Sequence, residues 1–116
     1  MPIAAYQDQG SFALDQIVRR LMTTRAEIAQ TLGLGRDAVA RKERANSPRT
    51  QMRLREMLEI LNRMEPRMGT AAMAYAWYRS EPLAGFGGLT PMQLVRDGHA
   101  DWVHDYISSI DHGIFA

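Results

Sequence analysis

Apolar residues recur along this chain at helical spacing almost from end to end. Leu14, Ile17, Val18 and Leu21 fall at i, i+3, i+4 and i+7, one face of a helix for which Ser11 is the candidate cap. Thr24-Arg25-Ala26-Glu27 has the form of a capping box and opens a helix with Ile28, Ala29 and Leu32 inward. Gly33-Leu34-Gly35 interrupts it, and Arg36 to Arg44 predicts a second helix with Val39 on its inner side. After Asn46-Ser47-Pro48, a long helix is expected from about Thr50, with Leu54, Met57, Leu58, Leu61 and Met64 on one face and arginines opposite. Pro66 and Gly69 are its expected stop. Thr70 to Arg79 predicts a further helix, with Met73, Ala74, Trp77 and Tyr78 available for packing. Glu81 to Leu89 reads as a loop, Thr90-Pro91 as a helix start and Gly98 as its end. From His99 to His112, Trp102, Val103, Tyr106, Ile107 and Ile110 are spaced for one buried stripe. No segment alternates as a strand does, so the expected class is all-α. Residues 1–10 are expected to be a flexible arm.

Composition adds bounds. At 116 residues the chain is one ordinary domain, or two small helical modules sharing a core. It has no cysteine, which removes disulfides, thiolate metal sites and cysteine nucleophiles. No apolar run approaches the roughly 20 residues of a membrane span. The first residues lack the basic start and apolar stretch of a signal peptide. A soluble, cytoplasmic protein without a membrane partner is the expectation. The net charge of +1 conceals an asymmetry: residues 19–67 carry twelve Lys/Arg against six Asp/Glu, whereas residues 68–116 carry two against five. A basic segment followed by an acidic one suggests two surfaces with different partners, or ordinary solvated helix faces.

The candidate chemistry is that of binding. Residues 24–44 fit a helix-turn-helix within a 11–68 region, whose second helix would bring Arg36, Arg41, Lys42 and Arg44 to a duplex, with Arg49 beside them. Asp37 and Glu43 oppose that reading, since they would repel phosphates; a helical hairpin with a solvated basic face is the alternative. His99, His104 and His112 lack the i, i+4 spacing of a helical metal pair. Gly85-Phe86-Gly87-Gly88 lacks the lysine of a phosphate-binding loop. Ser108 and Ser109 sit within a helix with no oriented base. An enzyme is not expected, nor any metal or cofactor. Among the aromatics of the C-terminal half, Trp102 and Tyr106 are assigned to the core by spacing. Phe86 and Phe115 are not explained by periodicity and are interface candidates. Ile110 completes the last stripe, so Ile114 and Phe115 are left for a partner's pocket.

Several pieces together resemble a known pattern: Ala76-Trp77, Glu81-Pro82-Leu83, Gly87-Gly88-Leu89-Thr90-Pro91, Leu94-Val95-Arg96-Asp97-Gly98 and His112-Gly113-Ile114-Phe115-Ala116. The pattern is that of the toxin-binding domain of the Xre/MbcA/ParS antitoxins. Upstream, Ile28-Ala29, Leu32-Gly33-Leu34, Val39-Ala40-Arg41 and Glu43 resemble that family's Xre-type helix-turn-helix, although Lys42 stands where a tryptophan often does. The resemblance implies an all-helical type II antitoxin that forms a homodimer in part through residues 11–68 and binds a RES-domain toxin through residues 69–116. Such toxins consume NAD or ADP-ribosylate a target. Gly113, Ile114, Phe115 and Ala116 would plug the toxin's cleft, following His112, with Trp77, Phe86 and Arg96 as further contacts. Operator DNA is a candidate second partner through Arg36, Arg41, Lys42, Arg44 and Arg49. The alternatives are an Xre-type transcriptional regulator without a toxin partner, and a structural adaptor.

Overall fold

The computed structural model describes residues 3–8 and 11–113, with the side chains at 4, 8, 40, 42 and 43 outside the description. The architecture is all-α, with a two-stranded ribbon of two residues each at the start. A 3-10 turn at Ile3–Tyr6 leads into β1 (Gln7–Asp8), which pairs antiparallel with β2 (Ser11–Phe12). Where an arm is expected over residues 1–10, Tyr6 is buried in the core, as is Phe12 just after it. Gln51 fastens this ribbon: its side chain accepts from the Phe12 N–H at 2.7 Å and donates to the Phe12 carbonyl at 3.3 Å and the Ala45 carbonyl at 2.8 Å. Ser11 is therefore a strand residue rather than a cap, and α1 (Leu14–Leu21) starts at Ala13 without a side-chain cap.

Helix α2 (Arg25–Leu32) starts as its sequence requires, with the Thr24 hydroxyl accepting from the Glu27 N–H at 3.1 Å. The capping box is half formed, because the Glu27 carboxylate turns instead to the Thr23 hydroxyl and to Arg79. The helix expected over residues 36–44 is split into α3 (Asp37–Ala40) and α4 (Lys42–Ala45) by Arg41, whose backbone is extended at φ −123° and ψ 149°. The long helix α5 (Pro48–Met68) is capped by the Ser47 hydroxyl and starts with Pro48. Pro66 sits inside its last turn, where it supplies no N–H to the carbonyl four residues back, and Gly69 at φ 97° ends the helix.

Helix α6 (Ala71–Ser80) follows a Thr70 cap, α7 (Pro91–Arg96) a complete Thr90/Gln93 capping box, and α8 (Ala100–Asp111) closes the described chain. Leu54, Met57, Leu58, Leu61 and Met64 of α5 are fully buried, as the periodicity predicts, and Ile60 is buried with them. They form the spine of one core that runs from Tyr6 through Ile17, Ile28 and Val39 to Tyr78, Leu94, Val103 and Ile107. No helix among the described residues is long and apolar enough to cross a membrane.

Candidate partner-binding surface

The loop between α6 and α7 is a closed turn. Leu83 is buried and acts as its anchor; its N–H donates to the Leu89 carbonyl at 2.9 Å. Within that bracket the Leu89 N–H donates to the Phe86 carbonyl at 3.2 Å, and Gly85, Gly87 and Gly88 take positive φ values that side chains resist. The turn holds Phe86 half-buried at the foot of α8. There its ring lies 6.2 Å from Trp102, tilted by 37°, and 6.2 Å from Tyr106, edge to face at 75°. On Trp102 lies the His99 ring, stacked at 3.5 Å and 9°.

Trp102 is 42% exposed, which corrects its expected place in the core. Val103 and Ile107, four residues apart, point straight inward and are fully buried. One residue is about 100° of helical rotation, so Trp102 is swung toward solvent while Tyr106 stays half-buried on the shoulder. Ile110 too is only half-buried. The turn from α7 into α8 fixes this placement. Gly98 at φ 87° lets the His99 N–H reach back to the Leu94 carbonyl at 2.9 Å.

At the far end, α8 is tied to α5. Arg63 donates to His104 Nδ1 and to the His104 carbonyl, both at 3.1 Å, and to Ser108 Oγ at 3.0 Å. Asp111 receives Arg63 at 3.5 Å and also Arg67. Burial, with the Arg63 charge second, holds the His104 pKa below its ordinary value, which favours the neutral imidazole whose Nδ1 accepts a hydrogen bond from Arg63. His112 and Gly113 are exposed, and Gly113 turns the backbone at φ 76°. Ile114, Phe115 and Ala116 lie outside the described residues.

Other sequence-derived candidates are placed as follows. Trp77 is half-buried against the core. Arg96 is exposed at its tip, yet its Nε donates to the Thr31 carbonyl at 3.3 Å and its Nη2 to the Gln30 carbonyl. Arg36, Arg41, Arg44 and Arg49 are all exposed; Arg44 pairs with Asp37 at 3.3 Å, and the Lys42 side chain is outside the description. Arg36 borders one open concavity that Leu34 also lines, and Arg44 and Arg49 line a second that shares Leu34. Sequence reasoning singled out Phe86 but missed that His99 and Trp102 gather beside it. The adjacency of Trp102 and Val103 was the available signal, because two neighbours cannot share the centre of one helical face.

Among the described residues, no three His, Cys, Asp or Glu side chains gather as a metal site would require. Neither the curated proteins nor the solved structures include a match to this chain. A family model does match: residues 68–113 correspond to the antitoxin Xre/MbcA/ParS C-terminal toxin-binding domain. That match starts at the end of α5 and takes in α6, the closed turn, α7 and all of α8. Residues 68–113 of this chain therefore match the C-terminal toxin-binding domain of the Xre/MbcA/ParS antitoxins.

Proposed function

We propose that this protein is the antitoxin of a type II pair that neutralises a NAD-consuming or ADP-ribosylating RES-domain toxin by occluding its active site with its C-terminal segment. The observation that carries this reading is the toxin-binding domain match over residues 68–113, which ends where α8 delivers an exposed turn at His112 and Gly113. The Arg63, Arg67 and Asp111 cluster ties the end of α8 to α5, just before His112 and Gly113. Burying Phe115 in a partner supplies roughly 1.5–3 kcal/mol. Inhibition then follows from occupancy alone, and no catalysis by the antitoxin is needed. Trp77, Phe86 and Arg96 are secondary contacts of this reading, and Arg96 also holds α7 to α2.

Residues 11–68 would serve homodimerisation in the cytoplasm and, through Arg36, Arg41, Lys42, Arg44 and Arg49, repression of the pair's own operon. What supports that part is the exposure of four of these arginines on and around α3 and α4.

The deciding experiment deletes Ile114 to Ala116 and co-expresses the product with the RES-domain toxin. The truncated chain is expected to keep its helical circular-dichroism signal and to lose protection of the cells. Protection that survives the deletion at full strength would remove the occlusion mechanism.

A further inference from the structure

Of the large hydrophobic side chains in residues 68–113, Met73, Leu89 and Trp102 are the exposed ones among the described residues. Two of the three lie next to Phe86. Leu89 is hydrogen-bonded through its backbone to Phe86, whose ring touches Trp102, and His99 lies flat on Trp102. This corner is rigid before any partner arrives, since Leu83 anchors the turn, the Thr90 box fixes α7 and Gly98 fixes the start of α8. A preformed aromatic cluster loses little side-chain entropy on binding.

Its surroundings are acidic. Asp97, Asp101 and Asp105 are exposed, Asp105 sits one turn beyond Trp102, and no lysine or arginine pairs with any of the three among the described residues. Arg96, the nearest cation in sequence, has its guanidinium turned to the carbonyls of α2. An aromatic centre with an unneutralised acidic rim is matched by a basic protein surface, on which an arginine can lie against the rings and meet the carboxylates.

We propose that the Trp102, His99, Phe86 and Leu89 corner, with its rim of Asp97, Asp101 and Asp105, is the anchoring surface for the toxin, and that it docks an arginine-bearing basic face of that partner. The occupant follows from the match, which assigns these same residues to a toxin-binding domain, and from the charge of the rim. The proposal rests on the antitoxin reading above and divides the labour within it. The corner supplies affinity and encounter rate, and the tail supplies inhibition.

The test measures binding of the full-length chain to a catalytically inactivated RES-domain toxin by calorimetry, with Trp102→Ala and Asp105→Lys as variants. Far-ultraviolet circular dichroism serves as the fold check. Trp102→Ala is expected to weaken binding about thirtyfold or more, the loss typical of a central aromatic anchor. Asp105→Lys should weaken it less, and by an amount that shrinks as salt rises. A chain lacking Ile114 to Ala116 should still bind while failing to inhibit. A folded Trp102→Ala variant with wild-type affinity would overturn the proposal and leave the antitoxin reading standing. Loss of self-association without loss of toxin binding would also overturn it, since a second copy would then be the occupant. Failure of the unaltered chain to bind the toxin at all would instead overturn the antitoxin reading.

Discussion

Arg96 ends a short helix, yet its side chain works on another one. The last carbonyls of any α-helix lack intrahelical partners. At the end of α2 they are met by Arg96, on Gln30 and Thr31, and by Arg53 Nη1, on Leu32 at 3.0 Å. Cations there also oppose the negative end of the helix dipole. Gly33, at φ 73°, leaves the room: a side-chain carbon at that position would stand 3.3 Å from Arg96. Beside it, the Thr31 hydroxyl donates to the Glu27 carbonyl at 2.9 Å, so the hydrogen of the buried Tyr75–Thr31 contact at 2.8 Å comes from the tyrosine. Burial also raises the Tyr75 and Tyr78 phenols above their ordinary range, and both stay protonated.

His104 carries a pH dependence of known sign. Its pKa in the fold lies below the ordinary 6.5, chiefly through burial and then through Arg63, with Glu59 and Asp105 opposing. The unfolded chain therefore binds the proton more readily, and this contribution to stability is complete above about pH 6.5 and declines as pH falls through the folded value. Urea denaturation should show a lower midpoint at pH 5.5 than at pH 7.5. His104→Gln should flatten that difference, and an unchanged pH profile in the variant would count against the assignment.

Among the elements, α7 shows how much a short helix depends on its ends. Six residues cannot hold a helix by propensity alone. The Thr90 hydroxyl accepts from Gln93 N–H at 3.2 Å, the Gln93 side chain accepts from Thr90 N–H at 3.0 Å, and Pro91 presets the first turn. Thr90→Ala is expected to cost about 1 kcal/mol, read as a fall in the denaturation midpoint with an unchanged slope. This start was legible in the sequence, since Thr-Pro-x-Gln names each part of the box. The division of α3 from α4 was not legible, because nothing in Val39-Ala40-Arg41-Lys42 forbids a helix. Packing decides it: the Arg25 side chain donates to the Val39 carbonyl at 3.2 Å, and the Thr50 hydroxyl donates to the Ala38 carbonyl at 3.4 Å. Both carbonyls belong to the one-turn helix α3, and the chain turns away from them at Arg41.

At the scale of the molecule, one core serves both the segment proposed for DNA and the segment that matches a toxin-binding domain. Charge remains divided between them even though the packing is shared. With Arg36, Arg41 and Arg49 exposed, phosphate contacts would dominate any operator affinity, so binding to the promoter fragment should fall steeply with salt. Replacing Arg41 and Lys42 together is expected to lower the affinity and to flatten the logarithmic salt slope by about 0.9 for each phosphate no longer neutralised. A promoter complex insensitive to salt, or no complex, would remove the repression reading.

The sequence by itself determined the helical class, the core faces of α1, α2 and α5, and the Thr24, Thr70 and Thr90 starts. Each of these depends on residues within a few positions of one another, where period and capping chemistry act. It also carried the motif by which the C-terminal segment is related to a toxin-binding domain. Only the tertiary structure decided that residues near Tyr6 join the core, that Arg41 breaks a helix, that Arg96 caps α2, and that Trp102 faces solvent beside Phe86 and His99. Those outcomes pair residues up to 66 positions apart, as Arg96 and Gln30 are. They are settled by which side chain reaches an unpaired carbonyl or fills the core first, and local periodicity holds no record of that competition.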